Sequence, residues 1–245
     1  MPNNTNGRTA LLERQRWLTF LLPFLVYMVA GALEPSPAGS AAGYAVVYAI
    51  KIALTLAAVA FMWPGYRQFP LRLSPLALLV GVAGGPLWIA LAMPGWERLY
   101  VWPVFQQVGL GFLAGGDRPA FNPFDPTISL STGWAYAFLA VRFFGLVAVV
   151  PLIEEFFLRG FVMRFVMERD WWNVPFGKAS RLAIVLGTAV PMLSHPELLA
   201  AAVWFSMITW LMLRTRNIWD CVAAHALANL ILGIYVVWSG TWRLK

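Results

Sequence analysis

The chain has 245 residues, 60% of them hydrophobic and only 12% charged, with a mean hydropathy of +0.68. That is too apolar for a soluble domain of this length, and the apolar runs are continuous rather than alternating, which argues against a β-barrel. The net charge of +7 is dispersed over the connections, a pattern that suits membrane orientation better than nucleic-acid binding; the lone Cys221 excludes an intrachain disulfide and a cysteine-based zinc cluster.

The expected fold is therefore all-α: a polytopic transmembrane helical bundle of about seven spans (six to eight), forming one integral membrane domain over residues 1–245. A polar, arginine-bearing segment, 1–16, precedes the first apolar run at 17–33. That run is long for the apolar region of a signal peptide, and no clear cleavage site follows it directly, so it is read as a span. A turn-rich link at 34–43 leads to a second span at about 44–63. This span carries Lys51, which either faces the bundle interior or snorkels. The third span, about 75–93, is expected to break at Gly84-Gly85-Pro86. A connection over 94–133, rich in Gly, Pro and aromatic residues, reads as an interfacial lid or long linker; its Phe121-Asn-Pro-Phe-Asp-Pro126 stretch reads as consecutive turns. The fourth span starts near Trp134, contains Arg142 and runs to about Phe157, and its helix continues past Arg159 to about Val166. The fifth, about 181–195, is short and interrupted by Pro191. The sixth covers about 197–213, a tight basic turn follows at 214–217, and the seventh covers about 218–238. With the N-terminus in the cytoplasm, inside segments hold twelve Lys or Arg. Outside segments hold Arg98, Arg118, Arg243 and Lys245, which favours an N-in, C-out topology.

Charges inside a span are costly, so Glu154, Glu155 and Arg159 must face one another, polar partners or a wet cavity. Glu155 and Arg159 are spaced i, i+4 in the favourable acid-first order, a pair that would hold Glu155 ionised and leave Glu154 to a cavity. His225 and Asn229 share one face of the last span. The Glu pair and His225 lie at similar depth, just below the cytoplasmic surface, whereas a straight fifth helix would carry His195 about 21 Å in from Arg181. A carboxylate, a histidine and a water supply a general base, and an amide can hold an oxyanion, so the set suffices for amide hydrolysis. Other readings of the same residues stay open. The charges could form a cluster at the membrane edge, and His225 with Asn229 could be interhelical glue. Two Glu and two His could ligate zinc, and Lys51, Arg142 and Glu154 could line a transporter path.

Glu-Glu-x-x-x-Arg at 154–159, His195, and His-x-x-x-Asn at 225–229 resemble the three motifs of the CPBP (or ABI) family. These are glutamic-type intramembrane endopeptidases that include the type II CAAX prenyl proteases. The resemblance spans about 134–238, the expected protease core. Residues 214–229, with Gly233-Ile-Tyr-Val-Val, are most similar to the bacterial branch associated with exosortase systems. The second motif departs from the family, with Pro191 where a Phe is usual. The resemblance implies a metal-independent endopeptidase without cofactor, in a bacterial cell (inner) membrane. Glu154 and His195 would activate water, Glu155 and Arg159 would support them, and His225 and Asn229 would hold substrate or oxyanion. The partners it implies are membrane-associated peptides, prenylated or not, and exosortase-system components. A non-catalytic partner or immunity-type protein of a sorting system is the alternative.

Overall fold

The computed structural model describes residues 7–37, 39–93, 95–109, 111, 120–128 and 131–244. In chain order come α1 (Gly7–Arg14), α2 (Leu18–Ala32), α3 (Ala41–Tyr66) and α4 (Pro75–Ala92); then α5 (Trp102–Gln107), α6 (Thr132–Phe165), α7 (Arg181–Met192), α8 (Leu198–Thr215) and α9 (Ile218–Ser239). Each apolar run is helical, and two short helices, α1 and α5, accompany them. The described residues contain no strand. Local chemistry sets the starts. The side chains of Ser40, Ser74, Ser131, Ser180 and Asn217 each accept a backbone N–H two or three residues on, at the N-termini of α3, α4, α6, α7 and α9. Arg216, in the left-handed conformation with φ 51°, ends α8 and turns the chain within two residues into α9.

Five helices (α3, α4, α6, α8 and α9) are long and apolar enough to cross a membrane, and the protein is a multi-pass membrane protein. The other two apolar runs are shorter: α2 has 15 residues and is bent 93° from α1, and α7 has 12. Seven helices nonetheless alternate in direction. At one end, the Asn217 amide donates to the carbonyl of Arg72, the Trp219 indole to that of Phe69, and Ser74 to Asp220, while Phe69 meets Phe176 edge-on. At the other end, the Leu199 N–H donates to Glu97 and Arg243 to the carbonyl of Met93.

The third span is not broken. α4 runs through Gly84, Gly85 and Pro86, and the glycines serve packing instead. A Cβ on Gly81 would lie 2.8 Å from the carbonyl oxygen of Ala224 in α9, and one on Gly84 would strike the Trp204 ring of α8. Part of the 94–133 connection is helical, a π turn at Glu97–Val101 leading into α5. The Asn122–Pro126 stretch does form two consecutive turns, with Phe124 N–H on the Asn122 side chain and Thr127 N–H on that of Asp125. Residues 94, 110, 112–119 (with Arg118) and 129–130 of the expected lid, and the terminal Lys245, lie outside the described residues.

α6 carries the catalytic candidates and is not a uniform α-helix. Two π-helical segments, Gly145–Val149 and Phe156–Val162, flank a six-residue α stretch, Val150–Glu155. Beneath this stretch, Phe156 is fully buried among the rings of Phe20, Tyr66, Phe69 and Trp219, with centroids 4.3–6.1 Å away. This aromatic plug fills the bundle on the arginine-rich side of the Glu pair.

Candidate active site

Glu155 and Arg159 are both fully buried, one turn apart, with Arg159 Nε 3.2 Å from Glu155 Oε2. Arg159 also donates to the backbone carbonyl of Phe205 (3.2 Å), and its guanidinium lies 5.4 Å from the Phe205 ring centre. This arginine is therefore a core residue and not part of the basic loop charge. The other Glu155 oxygen is 2.8 Å from His225 Nδ1. With Nδ1 turned to Glu155, the ring presents Nε2 to Glu154, 4.0 Å from Oε2.

Asn229 has a definite task. At the end of the first π segment the ladder reaches five residues back, from the Val150 N–H to the carbonyl of Gly145. The carbonyl of Leu146 then awaits residue 151, which is Pro151 and has no N–H. The Asn229 side-chain amide donates to the Leu146 oxygen instead, at 2.9 Å. One amide hydrogen is thus spent on the backbone of α6.

His195 lies just past the end of α7. Pro191 does not displace this helix: it sits in its last turn and is buried, and its carbonyl is 2.7 Å from His195 Nδ1. That contact makes Nε2 the ring atom able to take a proton. The imidazole rests between Trp88 and Phe205, with ring centres 5.5 and 5.3 Å away, and Phe205 also meets His225 at 6.0 Å.

His195, His225 and Asn229 line one cavity of about 470 Å³. Glu154 adjoins it through His225. Much of the remaining wall comes from α2, α3, α4 and the α2–α3 link, where the sequence carries no motif. Tyr27, Glu34, Tyr48, Lys51 and Trp88 all contribute, as does Arg142 of α6. Lys51 faces the interior: it is buried, paired with Glu34 at 2.5 Å, and 4.4 Å from the ring centres of both Tyr27 and Tyr48. Lys51 alone in an apolar run was the signal for this wall. Nothing in the sequence pointed to Glu34 or Trp88.

The sequence placed the reacting groups just below the arginine-rich end. The cavity runs the other way, from His225 to the 34–37 loop and Leu244 at the opposite end. Among the described residues, no three His, Cys, Asp or Glu side chains are arranged to hold a metal ion.

Neither the curated proteins nor the solved structures provide a match for this chain. Residues 133–231, which contain Glu154, Glu155, Arg159, His195, His225 and Asn229, match the family model described as type II CAAX prenyl endopeptidase Rce1-like.

Proposed function

We propose that this protein is an intramembrane endopeptidase that hydrolyses peptide bonds of membrane-associated substrates with an activated water. The observation that carries the reading is the opposed pair Glu154 and His225. The imidazole is fixed from behind by a buried, arginine-paired carboxylate and adjoins a cavity that also holds His195. The family match over the same residues supports it.

In this reading Glu154, with His195 Nε2 as the second base, takes a proton from water. The hydroxide oxygen attacks the scissile carbonyl carbon, and the resulting oxyanion is met by the second amide hydrogen of Asn229, with His225 Nε2 joining it in the doubly protonated ring. The C–N bond then breaks as the proton held by Glu154 passes to the leaving nitrogen, giving one carboxylate and one amine. Glu155 and Arg159 position His225. No metal enters the scheme. We place the protein in a bacterial inner membrane with α1 at the cytoplasmic face, and include exosortase-system proteins and prenylated tails among its candidate substrates. Eleven of the described Lys and Arg cluster at the α1 end, against two at the other, which supports that orientation.

The test is cleavage of a membrane-anchored peptide library by the purified protein in lipid nanodiscs. Glu154→Gln and His195→Ala should each lower cleavage by about a hundredfold or more, and a chelator should leave wild-type activity unchanged. Equal processing by wild type and both variants overturns the protease reading. Activity lost to chelator and restored only by added metal overturns the metal-free scheme.

A further inference from the structure

The described wall of the cavity reaches the α2–α3 link, and its place in the bundle carries a consequence for substrate. We propose that the site receives peptide from the non-cytoplasmic side, so that its substrates are polypeptide segments already carried across the membrane. This rests on the protease reading above, and the experiment below separates the two.

Two independent observations meet here. The first is charge. Arg8, Arg14 and Arg16 before α2, Arg67 and Arg72 between α3 and α4, Arg164 to Arg181 around the α6–α7 link, and Arg214 with Arg216 all lie at one end. The other end has Arg98 and Arg243 among the described residues. Basic loops stay on the cytoplasmic side. The second observation is shape. The cavity wall includes Glu34, Pro35, Ser36 and Pro37 of the α2–α3 link and Leu244, all at the arginine-poor end. It includes no residue of the 67–74, 166–180 or 216–217 links, and Phe156 with its four aromatic neighbours fills the bundle on that side. Water and peptide therefore reach His225 from the arginine-poor face.

The experiment is thiol accessibility in intact cells. The wild-type chain, whose only cysteine is buried, is the blank. Ser36→Cys marks the mouth and Gln68→Cys the opposite end; both native residues are exposed. A membrane-impermeant maleimide added outside spheroplasts should label Ser36→Cys and not Gln68→Cys, with the pattern reversed in inverted vesicles. Labelling of Gln68→Cys alone from outside overturns the proposal. Correct labelling without any peptide cleavage would leave the orientation standing and remove the protease reading.

A second inference stands on a different observation. Arg142 lines the cavity, yet its Nη1 is buried and has no hydrogen-bond acceptor among the described residues. The neighbouring cation, Lys51, is already paired with Glu34. A guanidinium inside a span calls for an anionic partner, and a carboxylate fits its fork. We infer that Arg142 receives a carboxylate of the bound peptide, either its C-terminus or an Asp or Glu side chain. The twelve positions from 142 to 154 give about 18 Å of helix rise. At about 3.3–3.6 Å per extended residue, the carboxylate falls about five residues from the scissile bond, or fewer by the reach of the arginine side chain.

The measurement is peptide binding to the Glu154→Gln protein by fluorescence anisotropy, which needs no cleavage. Adding Arg142→Gln should weaken a peptide with a free C-terminal acid at least tenfold, and Arg142→Lys should restore part of the loss. Amidating the C-terminus, or changing Asp to Asn five residues or fewer from the scissile bond, should mimic the loss, and whichever does so identifies the source. An equal effect of Arg142→Gln on acidic and neutral peptides, or no effect on either, overturns the inference.

Discussion

His225 Nε2 stands 4.0 Å from a carboxylate oxygen of Glu154, too far for a direct hydrogen bond and near enough for both to hold one water. Removing the base and removing the support of the imidazole should differ. Glu154→Gln keeps the shape and loses the proton acceptor, and should lower kcat by about 10²–10⁴-fold. Glu155→Gln should lower kcat less, with KM nearly unchanged, because the amide still reaches the ring; it also strands the Arg159 charge and so should lower Tm as well. Steady-state kinetics on one peptide with both variants checks the order.

Arg159 tests stability more than chemistry. Arg159→Ala strands the buried Glu155 charge, a loss of about 3–5 kcal/mol for a buried pair broken on one side. Thermal unfolding in detergent should show a large fall in Tm. The Glu155→Ala/Arg159→Ala double variant should fall by much less than the sum of the two single ones.

The Asn229–Leu146 contact gives a sharper cycle. Asn229→Ala should cost about 1 kcal/mol, the loss of the donor to a partly buried carbonyl. Pro151→Ala in that background returns an N–H to the position that the Leu146 carbonyl faces, and should recover much of the stability. If Pro151→Ala leaves the Asn229→Ala protein unchanged, the two do not serve the same carbonyl.

How much of this the sequence shows depends on how local each cause is. The helices and their starts were readable because apolar runs and Ser or Asn caps act within a few residues. Glu155 with Arg159 was readable because the pair is i, i+4. The Asn229 contact was not, since it answers a backbone defect 83 residues earlier. The continuity of α4 was missed because Gly84-Gly85-Pro86 reads as a break in isolation. Contact with Trp204 and α9 gives those small residues a use that outweighs their propensity. The direction of the cavity was equally hidden, because its mouth is built by a link without motifs.

Close packing at α4 is itself open to test. Gly81→Ala places a methyl 2.8 Å from the backbone oxygen of Ala224, which cannot move aside as a side chain could. The expected cost is about 1–3 kcal/mol, read as a lower Tm with little change in KM.

Glu97 supplies a pH signature outside the spans. Its carboxylate accepts the Leu199 N–H at the start of α8, and burial raises its pKa above the ordinary glutamate value, with that hydrogen bond opposing. A raised carboxyl favours the folded state below the ordinary value. That contribution fades as pH climbs through the raised one. Tm should therefore fall across that window in the wild type, and Glu97→Gln should flatten the slope.

The first π segment of α6 has a consequence for angular phase. In an unbroken α-helix, positions twelve apart point about 120° away from each other. The π segment between Arg142 and Glu154 absorbs one surplus residue, which brings the two to within about 20° on the same side. The arginine and the acid thus owe their common outlook to a single extra link in the chain. Trimming one residue from 145–149 would leave every motif intact and yet swing the halves of the helix apart.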